Sequence, residues 1–192
     1  NVEKLKNIKI TVTDISQGMV NDARRNIGNG MFDYGVADCM NLPFDDNSFD
    51  CVIANHVIFY CEEPGKAFKE IKRVLKPRGK AVFSTYGSHH MQEIAQLVNQ
   101  FDKRIVLSAD VLYEKFGLDN GERLLKKYFN KVDKRLYDDY LLVDVAEPII
   151  EYILSCHGNQ NHYLLDRYSD FKAFIMKKTR KPLKITKEAG VF

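Results

Sequence analysis

Hydrophobic residues follow two different periods in the first half of the chain, as they do where strands and helices alternate. Short apolar runs at 8–12, 32–37 and 51–54 are typical of buried strands. Between the first two runs, apolar residues recur every three or four positions, which predicts a helix that ends at the turn 28–30. A second helical pattern begins at Pro64, whose missing N–H needs no partner in a first helical turn. This alternation predicts a doubly wound parallel sheet.

Two local patterns refine this picture. The run at 51–54 is apolar at every position, which predicts a strand covered on both faces and a buried Cys51. At 76–79, Pro is the second residue and Gly the fourth, which predicts a β-turn before a strand at 80–85.

The second half of the chain combines amphipathic helices with fewer strands. The helices are predicted near 91–101, 120–129, 145–155 and 165–175, and the strands at 132–143 and 183–186. Neither an internal repeat nor a low-complexity linker divides the chain. We therefore predict one structural domain in three parts: a partial cofactor-binding core at 1–86, a helical substrate cover at 87–130, and C-terminal strands with inserted helices at 131–192.

Composition and charge exclude several classes of protein. The chain has 192 residues, 45% of them hydrophobic, which is enough for one core. Its net charge is +3, and the basic residues are scattered along the chain. The densest basic stretch, 177–181, fits the exposed end of a helix rather than a nucleic-acid interface. No apolar run approaches the roughly 20 residues of a membrane span.

The cysteines favour a reducing compartment. They show neither a C-x-x-C pair nor the spacing of a zinc site; they are Cys39, Cys51, Cys61 and Cys156. We expect no metal and a cytoplasmic location.

Two acidic residues follow the first two predicted strands. Asp14 stands just past one strand and Asp38 just past the next. In nucleotide-binding sheets, an acidic side chain at the position of Asp14 accepts hydrogen bonds from ribose hydroxyls. The alternative for Asp14 is a turn residue beside a helix cap, and Asp38 considered alone would be an ordinary loop acid.

Several segments, in this order and spacing, resemble class I S-adenosylmethionine-dependent methyltransferases, in particular the group called methyltransferase type 11. The segments are Asp14-Ile15-Ser16, ADCMNLPF at 37–44, SFDCV at 48–52 and FKEIKRVLKPRG at 68–79. The tail resembles the end of the same group more loosely. The resemblance implies a Rossmann-like, mostly parallel sheet with helical insertions and an antiparallel C-terminal edge.

The resemblance also implies where S-adenosylmethionine would bind. Asp14 would accept hydrogen bonds from the ribose hydroxyls, and Ile15 would pack beside the adenine. Asp38 would accept the adenine amino group, and the backbone N–H of Cys39 would contact a ring nitrogen.

The methionine end and the methyl group would face Asn55 and His56, which follow the next strand. Candidates for removing a proton from the acceptor are His56, His89, His90 and Tyr86. The alternatives are a histidine satisfied at a strand end for His56, and the exposed start of a helix for the pair 89–90. No catalytic side chain is required, since positioning an activated methyl donor can supply most of the rate.

The family's first strand and glycine-rich loop would precede residue 1. We expect the chain to be a fragment of a longer enzyme rather than the product of a truncated gene, and to bind the cofactor poorly as it stands. Loss of a central strand would expose a sheet edge and apolar helix faces. We expect that two copies of the chain can form a homodimer through these surfaces.

The predicted function is methyl transfer from S-adenosylmethionine to a small molecule, with S-adenosylhomocysteine as product. The acceptor atom is left open among oxygen, nitrogen and carbon, and tRNA remains a possible substrate. The alternative is a truncated, non-catalytic methyltransferase-like interaction module. A nicotinamide-dependent oxidoreductase is disfavoured, because the Tyr-x-x-x-Lys match at Tyr168 and Lys172 lies too late in the chain.

Overall fold

The computed structural model describes residues 8–28, 30–108 and 111–192. Its first elements are strand β1 (Ile10–Asp14), helix α1 (Gln17–Ile27), strands β2 (Phe32–Val36) and β3 (Phe49–Asn55), helix α2 (Pro64–Val74) and strand β4 (Leu75–Tyr86). The remainder comprises helices α3 (Gln92–Phe101), α4 (Leu112–Lys115) and α5 (Gly121–Leu125), strand β5 (Arg135–Val143), helices α6 (Ala146–Ser155), α7 (Gln160–Leu164) and α8 (Tyr168–Lys178), and strand β6 (Leu183–Val191).

Contacts divide the described chain into two compact units. Unit 1 holds the described residues up to Ile53 together with Cys61–Ala81, and unit 2 holds Ala54–Tyr60 and Val82–Phe192. The chain therefore passes between the units three times: within β3, between Tyr60 and Cys61, and within β4. The three-part division at 86 and 130 stays a prediction, and residues 1–7 of its first part lie outside the described residues.

In unit 1, β1 and β2 pair in parallel, with Asp14 opposite Val36 at the end of the ladder. Helix α1 packs against both strands. It begins where the Ser16 hydroxyl accepts the N–H of Met19, and it ends at Gly28, whose φ of 91° is unfavourable for residues with a side chain. The predicted helix end is confirmed at Gly28, while Asn29 of the same turn lies outside the described residues.

Helix α2 buries the side of the helix that the sequence indicated. Pro64 occupies its first turn, and Ala67, Phe68, Ile71 and Val74 are buried. The turn predicted at 76–79 has a positive φ of 69° at its third residue, Arg78, as a type II turn requires. Strand β4 nevertheless starts at Leu75, earlier than the predicted position 80.

The predicted burial of the third strand on both faces is wrong. Cys51 is exposed, and Ile53 has 69% of its surface exposed, whereas Val52 is half-buried and Ala54 is buried. Alternate residues of a strand point to opposite faces, so only one face of β3 is covered in the described part of the chain. Continuous apolarity does not reveal this, because it reports the residue types and not their neighbours.

Unit 2 contains the C-terminal strands and most of the helices. Strands β4 and β5 both pair antiparallel with β6, in the sheet order β3-β4-β6-β5. This confirms the predicted antiparallel C-terminal edge. Strand β6 extends to Val191, beyond the predicted end at 186. The apolar core of unit 2 contains residues of α3, α6, α7 and α8 together with Ile185 of β6.

None of the helices in the described ranges combines the length and the apolar character needed to cross a bilayer.

Candidate functional site

Asp14 and Asp38 lie at the same edge of unit 1. The N–H of Ala37 donates to the carbonyl oxygen of Asp14 over 3.1 Å, so the chain leaves β2 directly beside the end of β1. Asp38 is the next residue. Two half-buried carboxylates therefore follow neighbouring parallel strands, as the positions in the sequence predicted.

Both carboxylates also organise their own loops. Oδ1 of Asp14 accepts the N–H of Ser16 at 2.8 Å, and Oδ1 of Asp38 accepts the N–H of Met40 at 2.8 Å. These contacts are the turn role that was the alternative for Asp14. They use one oxygen of each carboxylate, and a carboxylate offers acceptor sites on both oxygens. The turn role and a ligand-binding role are thus compatible at both residues.

Ile15 presents an apolar side chain beside Asp14. It has 68% of its surface exposed, although isoleucine side chains are usually buried in folded proteins. A flat apolar ligand lying over it would remove this surface from water.

A hydrogen-bonded ion pair on α2 holds the loop that carries Asp38. Arg73 donates to the carbonyl oxygens of Leu42 (3.0 Å) and Phe44 (2.7 Å) and to Glu70, whose Oε2 accepts the N–H of Leu42 at 2.9 Å. The hydrogen bond from Arg73 lowers the pKa of Glu70 and keeps it ionised. Sequence analysis missed this pair, although its i,i+3 spacing on a predicted helix was a usable signal.

Cys39 follows Asp38 in the same loop. Its sulfur lies 3.2 Å from the sulfur of Cys61. The hydrogen bond with Cys61, burial and the neighbouring charges raise the pKa of the Cys39 thiol well above its ordinary value, so this thiol is protonated at neutral pH.

In unit 2, one hydroxyl organises Asn55 and His56. Ser84 donates from Oγ to Oδ1 of Asn55 over 2.5 Å and accepts the backbone N–H of His56 at 3.0 Å. His56 has a φ of 51°, a left-handed conformation that costs energy for a residue with a side chain. Ser84 was also missed, because it lies 28 positions from His56 in the sequence and the strands bring the two together.

Aromatic rings surround Tyr86 in the same unit. The ring of His56 stacks on the ring of Tyr86, with centroids 6.3 Å apart. The ring of His90 is tilted against Tyr86, with centroids 5.3 Å apart. Phe59 and Tyr113 approach it edge-on at 5.2 and 6.4 Å. The fold thus brings together three of the four candidates for proton transfer: His56, His90 and Tyr86.

His89, the fourth candidate, lies apart from these rings. Its side chain is exposed, its N–H donates to Oε2 of Glu188 at 2.7 Å, and its Nδ1 lies 3.5 Å from that oxygen. This arrangement resembles the exposed helix start that was the alternative for the pair 89–90.

Burial sets the protonation states of the ring cluster. It lowers the pKa of both His56 and His90, although a backbone hydrogen bond with Glu188 opposes the change at His90. Burial also raises the pKa of Tyr86. At neutral pH both imidazoles are therefore neutral and can accept a proton, while the Tyr86 hydroxyl remains a donor. Nδ1 of His90 is buried without a hydrogen-bond partner in the described chain.

Comparisons with known proteins find similarity to methyltransferases. Residues 2–83 match a family model described as a methyltransferase domain. A malonyl-[acyl-carrier protein] O-methyltransferase of Methylovorus sp. (strain MP688) is 32% identical over 124 residues, covering 61% of this chain and 40% of that protein. A demethylmenaquinone methyltransferase of Clavibacter sepedonicus is 36% identical over 80 residues, covering 41% of this chain and 33% of that protein. The chain thus spans less than half the length of these relatives.

A solved structure shows a similar fold. The BH2331 protein of Bacillus halodurans C-125 superposes with a TM-score of 0.59, covering 96% of this chain and 80% of that chain at 13% identity. At this identity the likeness concerns the fold alone, and it confirms the predicted Rossmann-like α/β class.

Proposed function

From the match of residues 2–83 to a methyltransferase domain, we propose that the chain belongs to the class I S-adenosylmethionine-dependent methyltransferases that its sequence resembles. We propose that it transfers a methyl group from this cofactor to a small-molecule acceptor, with S-adenosylhomocysteine as product. The observation that carries the proposal is the pair of carboxylates, Asp14 and Asp38, at the adjoining ends of two parallel strands. Ligands of open α/β sheets bind at such carboxyl ends.

The chemistry of unit 1 suits the nucleoside part of the cofactor. Asp14 accepts hydrogen bonds from the two ribose hydroxyls, and the exposed Ile15 covers one face of the adenine. Asp38 accepts the adenine amino group, and the backbone N–H of Cys39 donates to a ring nitrogen. Carboxylates are acceptors and the hydroxyl and amino groups are donors, so each assignment pairs complementary groups.

By the family resemblance, Asn55 and His56 would contact the methionine part of the cofactor. When bound, the cofactor supplies a methyl group on a positively charged sulfur that is already activated for transfer. Ser84 holds both residues through its hydroxyl, which fixes the orientation of the Asn55 amide. The ring faces of Tyr86 and Phe59 provide an apolar and polarisable surface for the acceptor.

Acceptors with an O–H or N–H group lose a proton during methylation. We propose that a ring nitrogen of His90 or His56 takes this proton, because both imidazoles are neutral at pH 7 and contact Tyr86. Tyr86 keeps its own proton and can donate a hydrogen bond to the acceptor. The relatives named above act on a malonyl-acyl carrier protein and a demethylmenaquinone, and neither substrate is assigned to this chain.

Calorimetric titration with S-adenosylhomocysteine tests the cofactor site. We compare the unaltered chain with Asp14→Asn, Asp38→Asn and the control Asp22→Asn, which changes an exposed acid of α1. Each site substitution should weaken binding by about tenfold or more, since a hydrogen bond to a charged group contributes about 1.5–3 kcal/mol. The control should bind normally. Equal affinities for all four proteins would contradict the proposal. So would the absence of binding both by the folded unaltered chain and by a chain extended at its N-terminus.

A second candidate function is a non-catalytic interaction module, here binding a second copy of the chain. The observation that favours it is β5, the outer strand of its sheet, on which Leu136, Tyr137 and Leu142 each have at least 60% of their surface exposed. Such edges pair readily with other strands. Sedimentation velocity tests whether the chain associates through β5. Leu142→Lys should dissociate a dimer, whereas the control Met176→Lys, which changes an exposed residue of α8, should not. A chain that is monomeric at all concentrations would contradict self-association.

We also propose a cytoplasmic location. The support for this location is the spacing of the four cysteines, which fits neither a disulfide framework nor a zinc site. Fractionation of cells followed by immunodetection tests this location, and recovery outside the cytoplasm would contradict it.

A further inference from the structure

Two cysteine sulfurs lie in contact within unit 1, in the part of the fold beside the proposed adenine site. The sulfurs of Cys39 and Cys61 are 3.2 Å apart, although the residues are 22 positions apart in the sequence. Cys39 lies in the loop after β2, and Cys61 precedes α2. Cys61 has 4% of its surface exposed, while Cys39 is half-buried and therefore accessible in part.

This separation is short for two thiols that merely pack together. A disulfide bond is about 2.05 Å long, so the sulfurs need to approach by only about 1.2 Å from their separation of 3.2 Å. The two sulfurs are thus already close to bonding distance while the chain is folded.

We propose that Cys39 and Cys61 form a redox modification site, a dithiol that low-molecular-weight disulfides such as oxidised glutathione convert into an intramolecular disulfide. The proposal is independent of the methyl-transfer activity, because it concerns only the two thiols and their oxidant.

The exchange proceeds in two balanced steps. Cys39, the more accessible thiol, loses its proton to water, and its thiolate attacks one sulfur of the oxidised glutathione. The glutathione disulfide breaks, one glutathione leaves as a thiolate and takes up a proton, and Cys39 carries the mixed disulfide. Cys61 then loses its proton and attacks the sulfur of Cys39, which releases the second glutathione. Two protein thiols are oxidised, and one glutathione disulfide is reduced to two thiols.

The surroundings of Cys39 control the rate of the first step. Because the hydrogen bond with Cys61 and burial raise the pKa of the Cys39 thiol, little of it is thiolate at neutral pH. The reaction should therefore be slow at pH 7 and accelerate as the pH rises.

The two other cysteines provide internal controls. Cys51 is exposed on β3, and the half-buried Cys156 donates its S–H to the carbonyl oxygen of Tyr152 over 3.3 Å. Among the cysteines of the described chain, the pair at 39 and 61 is the one with sulfurs in contact. Cys51 and Cys156 should therefore carry glutathione adducts, without forming an internal bond.

Intact-mass spectrometry and peptide mapping test the proposal. The folded chain is incubated with increasing ratios of oxidised to reduced glutathione at pH 8. We expect a species that has lost two hydrogens, a peptide linking Cys39 to Cys61, and reversal by dithiothreitol. Cys61→Ser should instead accumulate a glutathione adduct on Cys39, while Cys51→Ser should form the bond as the unaltered chain does.

A second measurement needs no variant and so does not depend on whether a substituted chain folds. The disulfide restricts the unfolded chain, so oxidation should raise the thermal midpoint by roughly 5–10 °C. A folded chain that acquires only glutathione adducts, or a linkage through Cys51 or Cys156, would overturn the proposal. So would an oxidised form that is no more stable than the reduced form.

Discussion

The hydroxyl of Ser84 lies 2.5 Å from the side-chain oxygen of Asn55, joining two strands at the point where the cofactor's methionine end is proposed to bind. The same oxygen accepts the backbone N–H of His56, which is held in a left-handed conformation. One small side chain therefore positions two residues proposed to contact the cofactor.

Replacing Ser84 by Ala should weaken S-adenosylhomocysteine binding by about tenfold, because Asn55 loses the donor that orients it and the N–H of His56 loses its acceptor. Isothermal calorimetry measures the change. Ser155→Ala is the matched control, since its hydroxyl donates to the carbonyl oxygen of Tyr152 on the same helix. Ser84→Ala with an affinity equal to that of the control would show that Ser84 does not position the site.

Arg73→Ala should lower the thermal midpoint by several degrees, because the carbonyl oxygens of Leu42 and Phe44 lose their donor and the loop carrying Asp38 is released. Differential scanning calorimetry measures this. The control is Arg25→Ala, which removes an exposed ion pair with Asp22 that should contribute little. A midpoint unchanged in both variants would mean that Arg73 does not hold the loop.

Glu70 should make stability depend on pH in the acid range. The hydrogen bond from Arg73 lowers its pKa in the folded protein, so its contribution is present above the unfolded value of about 4.3 and is lost as pH falls through the lower folded value. Thermal midpoints are measured between about pH 3 and pH 7. The unaltered chain should exceed Glu70→Gln in the upper part of this range, and the difference should shrink toward the acid end.

The exposed Glu62→Gln is the control for that comparison, and its difference from the unaltered chain should stay small throughout. A difference for Glu70→Gln that is independent of pH would refute the assigned ionisation.

His90 should titrate below the ordinary histidine value of about 6.5, because burial disfavours its charged form. Its neutral form then stabilises the fold above that value, and the contribution is lost as pH falls through the lower folded pKa. A proton NMR titration measures the pKa, with His90→Gln to assign the resonance. An apparent pKa at or above about 6.5 would contradict the burial effect assigned to His90.

Local sequence patterns predicted several features because those features depend on neighbouring residues. The cap at Ser16, the helix end at Gly28 and the buried face of α2 follow from spacing and backbone preference within single elements. The placement of Asp14 and Asp38 at one edge could also be predicted, since parallel pairing of consecutive strands brings their carboxyl ends together.

Burial of the third strand could not be predicted in the same way. Its residues are apolar at both alternate sets of positions, but a neighbouring layer covers only the set that includes Ala54. Whether Cys51 and Ile53 are covered depends on packing, which the residue types do not specify.

By itself, the sequence predicted the α/β class, a resemblance to methyltransferases in the first half of the chain, and the positions of Asp14 and Asp38 after neighbouring strands, because short motifs encode turns, strand ends and hydrogen-bonding groups. Only the tertiary structure decided which distant groups meet: Ser84 with Asn55 and His56, His90 with Tyr86, and Cys39 with Cys61. These pairs depend on the register of strands and the packing of loops, where the geometry of the whole fold sets the distance between atoms far apart along the chain.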